Sequence, residues 1–119
     1  MARVITFFPK QIYIGHGNAS LVNLSEIFEI TDENTIDLEL RLLAIMPSAS
    51  PGVTGTVVTT SDSSFVDAAW TTRGNFTLTG VGTQIVTGIG GLGKFVRATL
   101  QVPQSVYVCA SMQAVAREL

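Results

Sequence analysis

The sequence predicts an all-β fold, an antiparallel β-sandwich of about eight strands in jelly-roll or immunoglobulin-like order. Three observations lead there. In Ile36 to Leu42, the residues Ile36, Leu38, Leu40 and Leu42 alternate with Asp37, Glu39 and Arg41, a strict period of two. A strand patterned this way has one face on a core and the other in water, as antiparallel sheets do. Short runs rich in Val, Thr and Ile recur along the chain, separated by Gly, Pro, Ser and Asp. No long helical pattern interrupts them.

Taken in order, Arg3 to Phe8 and Gln11 to Ile14 are short apolar runs split by Pro9. Proline lacks the N–H that a ladder needs, so it suits an edge or a break between strands. Residues 1–14 therefore read as an edge strand or as an N-terminal arm that pairs with a neighbouring subunit. Gly15-His16-Gly17-Asn18 is a turn by composition. Between Ser20 and Ile30, Leu21, Leu24, Ile27 and Phe28 recur at helical spacing, so this segment is expected to be one short helix or an irregular strand. Thr31 to Asn34 is a turn, Ile36 to Leu42 is the clearest strand, and Leu43 to Met46 extends it. Pro47 to Gly52 is a loop, and Val53 to Thr60 a Val/Thr-rich strand. After the Ser61 to Ser64 turn, the segments Asn75–Thr79, Gln84–Thr87, Phe95–Val102 and Val106–Ala114 complete the set. The last two alternate apolar and polar positions, and Pro103-Gln104 between them predicts a tight hairpin.

Length gives a single domain spanning 1–119, large enough for one hydrophobic core. Charge is the unusual property. Asp, Glu, Lys and Arg make up 13% of residues and hydrophobic residues 46%, against a typical charged share of roughly 25%. From Leu42 to Gly93 the only charges are Asp62, Asp67 and Arg73. A small domain has much surface to cover, and here Thr, Ser, Gly and Asn cover it. Either neighbours occupy that surface in an oligomer, or the outward strand faces are neutral and polar. A net charge of −2 supplies no basic field, which argues against nucleic acid as a partner. No run approaches the roughly 20 apolar residues of a membrane-spanning helix, and no signal-peptide core precedes Lys10. The expectation is a protein made in a cytoplasm, with no membrane partner. Cys109 is the only cysteine, which excludes a disulfide within the chain.

The motifs carry little chemistry. Gly88-Ile89-Gly90-Gly91-Leu92-Gly93 spells G-x-G-x-x-G, but dinucleotide binding needs a helix after it, and Lys94 to Val102 reads as a strand. The glycine-rich stretch Gly80–Gly93 is read as a loop. His16 is the sole histidine, and nothing places serine and aspartate beside it as a triad. One His, one Cys and scattered carboxylates offer no transition-metal set, and Asp62 with Asp67 reads as hydrated turn aspartates rather than a calcium site. No base, nucleophile, metal or cofactor constellation is present, so an enzyme is not expected and no cofactor is implied. Trp70 is read as a packing or interface residue, or as a sugar-stacking platform.

One resemblance emerges from the middle of the chain. A strand ending in Ser61-Asp62 is followed by Trp70, a strand containing Phe76, a glycine loop, and Gly93-Lys94-Phe95-Val96-Arg97. This order resembles small β-sandwich virion structural proteins of tailed bacteriophages, of the head decoration (cement) or minor capsid type. The chain departs from that pattern in the gap between Asp62 and Trp70 and in its richness in glycine. The resemblance implies a non-enzymatic protein of the virion that stabilises a capsid through oligomeric contacts. It also implies self-association, with a trimer as first expectation, and the major capsid protein or other virion proteins as partners. The expected contact residues are Phe7, Phe8, Trp70, Arg73, Gly88, Gly90, Leu92, Phe95 and Arg97. The alternative expectation is a carbohydrate-binding β-sandwich module that uses Trp70.

Overall fold

A computed structural model describes residues 2–15, 23–46, 52–65, 69–103 and 105–118. Their strands are β1 (Arg3–Ile14), β2 (Asn23–Leu24), β3 (Phe28–Glu29), β4 (Thr35–Met46), β5 (Val53–Thr60), β6 (Thr71–Leu78), β7 (Gly82–Ile89), β8 (Phe95–Gln101) and β9 (Tyr107–Arg117). All pairings are antiparallel. The first sheet has the order β1-β9-β4-β7, and the second β2-β8-β5-β6, with β3 also on β8. The two short strands act as one interrupted edge strand. Between them Ser25 donates its N–H to the Ala98 carbonyl, and its hydroxyl accepts from the Ala98 N–H. Counted so, there are eight strand positions in two four-position sheets, and the order is that of a jelly roll.

The core lies between the sheets and follows the period-two pattern. Ile36, Leu38, Leu40 and Leu42 of β4 are all fully buried, as are Val108, Ala110 and Met112 of β9 and Val96, Ala98 and Leu100 of β8. Size is matched across the gap. A Cβ on Gly55 of β5 would lie 2.7 Å from the Met112 methyl and 3.1 Å from the Phe76 ring, so the missing side chain is the room those two fill.

Several expectations are corrected. Of the two expectations for residues 20–30, a short helix or an irregular strand, the second holds where the segment is described, as β2 and β3, because Ser25 ties its backbone to β8. The first strand is continuous through Pro9 and lies at a sheet edge, where the missing N–H costs no ladder bond. Its register slips between Thr6 and Phe8 and again between Phe8 and Gln11. Such bulges break the alternation, so consecutive Phe7 and Phe8 both turn inward. Pro103 does not make a hairpin: β8 and β9 belong to different sheets, and the chain crosses the sandwich there. Alternation alone does not distinguish these cases, since each sheet has an inner face. The Gly80–Gly93 stretch is not one loop, since β7 occupies Gly82–Ile89 and only residues 90–94 link it to β8. Positions 16–18 of the expected turn, with His16, the helical position Leu21, the Pro47–Pro51 part of the loop, Asp67 and Gln104 lie outside the described residues.

Candidate functional site

Strands expose two outer faces, one per sheet, and they differ in chemistry. On the first sheet, three strands each carry three consecutive apolar or aromatic residues in the same register. Ile12 pairs with Cys109, and Cys109 with Ala44; Tyr13 with Val108, and Val108 with Ile45; Ile14 with Tyr107, and Tyr107 with Met46. The middle row faces the core at Tyr13 and Val108. The outer two rows face solvent: Met46 is 70% exposed and Ile12 67%, with Ile14 and Tyr107 more than half exposed. All of these but Ile14 border a shallow groove of about 290 Å³ lined by Ile12, Ala44, Ile45, Met46, Tyr107, Val108 and Cys109. No charged residue lines it among the described residues. Beyond it the same face is mixed, with Arg41 beside Ser111, Glu39 between Gln113 and the exposed Ile85, and Val115 between Val4 and Asp37.

Outward residues on the second sheet are mostly hydroxyls and amides. Cross-strand rows place Thr54 between Thr77 and Gln101, and Thr56 between Asn75 and Thr99. Thr54 and Thr77 hydroxyls lie 3.0 Å apart and share a hydrogen bond. The next row, Val58 with Arg97 and Thr72, begins a cationic and aromatic cluster. The Arg97 guanidinium lies 4.4 Å from the Trp70 ring centroid. Phe65 stacks on Trp70 at 6.0 Å and meets Phe95 edge-on at 4.9 Å. Phe65 holds a positive φ of 56°, which aims its ring into this cluster. The Trp70 indole N–H and the Arg97 Nε–H are buried and have no acceptor among the described residues.

The expected contact residues distribute unevenly. Phe7 and Phe8 are each 4% exposed. Phe7 packs edge-on against Phe28, and Phe8 against Tyr13. They are core residues rather than contacts, and the exposed apolar positions of their strand are Val4, Ile12 and Ile14. Trp70, Phe95 and Arg97 come together in the cluster just described. Arg73 is exposed nearby, its guanidinium against the bare Cα of Gly91. Leu92 is half-buried against the core. Gly88 and Gly90 are exposed at the far side of the loop, and the Gly88 N–H is held by the Asp37 carboxylate at 2.9 Å.

The apolar end of the first sheet was not among the expected contacts. Its signal lies in the sequence: the alternation of β4 stops at Leu42, and Leu42 to Met46 is apolar at every position. A strand apolar on both parities has two covered faces or one exposed apolar face. Among the described residues no three His, Cys, Asp or Glu side chains group as metal ligands, and no helix is long and apolar enough to cross a membrane.

No protein-family profile matches the chain, and no curated protein matches it in sequence. Solved structures do share the fold. One is a chain of Bacillus endospore appendages, described as a family of disulfide-linked pili, with a TM-score of 0.55 and 10% identity, covering 100% of this chain and 91% of that one. Another is the CBM36-1 domain of a multidomain xylanase from the hindgut metagenome of Trinervitermes trinervoides, with a TM-score of 0.51 and 11% identity, covering 97% and 96%. At such identities the likeness concerns the β-sandwich fold, and both functions stay with those proteins.

Proposed function

We propose that this chain is a non-enzymatic structural subunit that assembles with copies of itself through the apolar end of its first sheet. The observation that carries the reading is the charge-free patch of Ile12, Ile14, Met46, Tyr107 and Cys109, built from three strands in register. Water in contact with such a patch is released when a second copy covers it, and contiguous exposed apolar surface on small proteins marks interaction sites. The low share of charge is the compositional counterpart. The likeness in fold to a pilus subunit is in keeping with this reading. The trimer and the tailed-phage shell as its setting are carried by the sequence resemblance alone, and co-sedimentation with capsid shells tests that part.

Sedimentation equilibrium over a range of concentrations tests the assembly. The native chain is expected to form a discrete oligomer. Met46→Asp or Ile12→Asp is expected to weaken it at least about tenfold, since each would put an unpaired carboxylate into an apolar contact. Both sites are exposed in the subunit, so circular dichroism, and the unfolding midpoint at concentrations where the native chain is monomeric, should stay unchanged. A native chain that remains monomeric at high concentration sinks the reading.

A carbohydrate-binding module is the second reading, favoured by the Thr54, Thr56, Thr77, Thr99 and Asn75 rows beside Trp70. Here glycan-array binding that Trp70→Ala abolishes is the deciding result. Fluorescence of Trp70 that no glycan perturbs removes it.

A further inference from the structure

The end of the second sheet farthest from the apolar patch contains a recess of about 270 Å³, lined by Thr59, Thr60, Ser61, Ala69, Thr71, Arg73, Gly91, Leu92 and Gly93. The loop after β7 folds tightly onto the end of β5 to form it. A Cβ on Gly93 would lie 2.8 Å from the Thr60 carbonyl oxygen and from Ser61 Oγ, so only glycine permits this approach. Side-chain hydroxyls fasten the loop. Thr59 Oγ1 accepts the Gly93 N–H at 2.7 Å and donates to the Phe95 carbonyl. Thr60 Oγ1 accepts the Asp62 N–H at 3.0 Å, and Ser61 Oγ the Lys94 N–H at 3.2 Å.

This bonding has a directional result. A hydroxyl whose oxygen already accepts an N–H still owns a proton to donate. Thr59 has spent its proton on Phe95; Thr60 and Ser61 have no acceptor for theirs among the described residues. Thr71 adds a third hydroxyl, exposed at the start of β6. Arg73 adds a guanidinium, with five N–H donors and no acceptor. Its placement is enforced by Gly91: a Cβ there would lie 3.1 Å from Arg73 Cζ, and Gly91 has a φ of +67°, which favours glycine. The carboxylates nearest in chain are otherwise engaged or not described. Asp62 accepts the Ser64 N–H at 2.9 Å, and Asp67 lies outside the described residues. The ion pairs among the described residues, Arg3–Glu33, Arg41–Glu39 and Arg117–Asp37, all involve other arginines. The lining thus offers a guanidinium and hydroxyl protons and contains no carboxylate.

We infer that this recess is a binding site for an oxyanion group, a carboxylate, sulfate or phosphate, clasped by Arg73 and the Thr60, Ser61 and Thr71 hydroxyls. A planar guanidinium matches such groups with two parallel hydrogen bonds, and the hydroxyls supply donors around them. The volume suits a single anionic head group or sugar acid rather than an extended ligand. The site stands apart from the assembly surface and does not depend on it.

Amide-resolved NMR titration of the full chain tests the inference with four probes: sodium phosphate, sodium sulfate, digalacturonate and neutral maltotriose. The three anions are expected to shift the Gly91, Gly93 and Lys94 amides saturably, and maltotriose is not. Equal affinity for inorganic ions and digalacturonate identifies a free oxyanion as the ligand; tighter binding of digalacturonate identifies one carried on a sugar. Arg73→Gln is expected to weaken binding at least tenfold and Ser61→Ala severalfold. Arg73→Lys should fall between native and Arg73→Gln, because it keeps charge but loses the fork. Anion shifts unaffected by Arg73→Gln, or absent at tens of millimolar, overturn the site. Binding that appears only in Asp67→Asn also overturns it, because the guanidinium would then belong to that carboxylate.

Discussion

At the scale of single residues, Asp37 shows how one side chain ties three strands. It stands on β4, accepts the Gly88 N–H of β7 and both Nε and Nη2 of Arg117 on β9, at 2.9, 3.1 and 3.3 Å. The Gly88 N–H, and after it Arg117, hold its carboxyl below the ordinary aspartate range. A carboxyl with a depressed folded pKa stabilises the native state fully above its unfolded value near 3.9, and that contribution disappears as pH falls through the folded value. Acid titration of stability should therefore steepen below about pH 4, and Asp37→Asn should flatten part of that loss while lowering stability at neutral pH. Urea midpoints measured from pH 7 to pH 2 check this; identical acid profiles for both chains would refute it. Asp62, held low in the same way by the Ser64 N–H, keeps the flattening from being complete.

At the scale of elements, β4 carries the clearest lesson about what sequence reveals. Its first half alternates, and the structure buries Ile36, Leu38, Leu40 and Leu42 as that pattern demands. Leu40→Ala should cost about 2–5 kcal/mol of stability, the range for deleting a fully buried leucine. Thr56→Ala on the outer face should change it by less than about 0.5 kcal/mol. Equal losses at the two sites would contradict the burial pattern. The second half of β4 was equally readable but needed its neighbours: an all-apolar run in one strand becomes a surface only when Ile12–Ile14 and Tyr107–Cys109 align beside it. Phe7 and Phe8 were misread because a bulge leaves no mark in composition. The recess was hidden for a related reason. Its parts, Arg73, Ser61 and Gly91, come from a strand, a turn and a loop that only the folded chain brings together.

At the scale of the whole molecule, fold class was legible and strand order was not. Period-two patterns show that strands have inner faces but not which sheet holds them. Among links between consecutive strands, β2–β3 and β5–β6 stay within one sheet, and all the others cross the sandwich. Such topology makes nearly every strand pair distant in sequence, and loop-closure entropy must be met before those pairings stabilise anything. Refolding after rapid dilution from urea should accordingly take milliseconds to seconds. Completion within microseconds, followed by stopped-flow fluorescence of Trp70, would be incompatible with this connectivity.

The position of β1 carries that point further. Its partner is β9, residue 3 opposite residue 116 and residue 14 opposite residue 107. During synthesis β1 is thus made well before β9 and waits for it to be paired. Until then Val4, Ile5, Phe7, Phe8 and Ile12 travel with a bare backbone edge and no sheet to join. At high local concentration, as on one message read by many ribosomes, the β9 of a neighbouring copy is as good a template as the chain's own. Exchange of an identical strand creates a dimer with no new contact type. The β1–β9 ladder is therefore where correct folding and intermolecular pairing compete for the same hydrogen bonds.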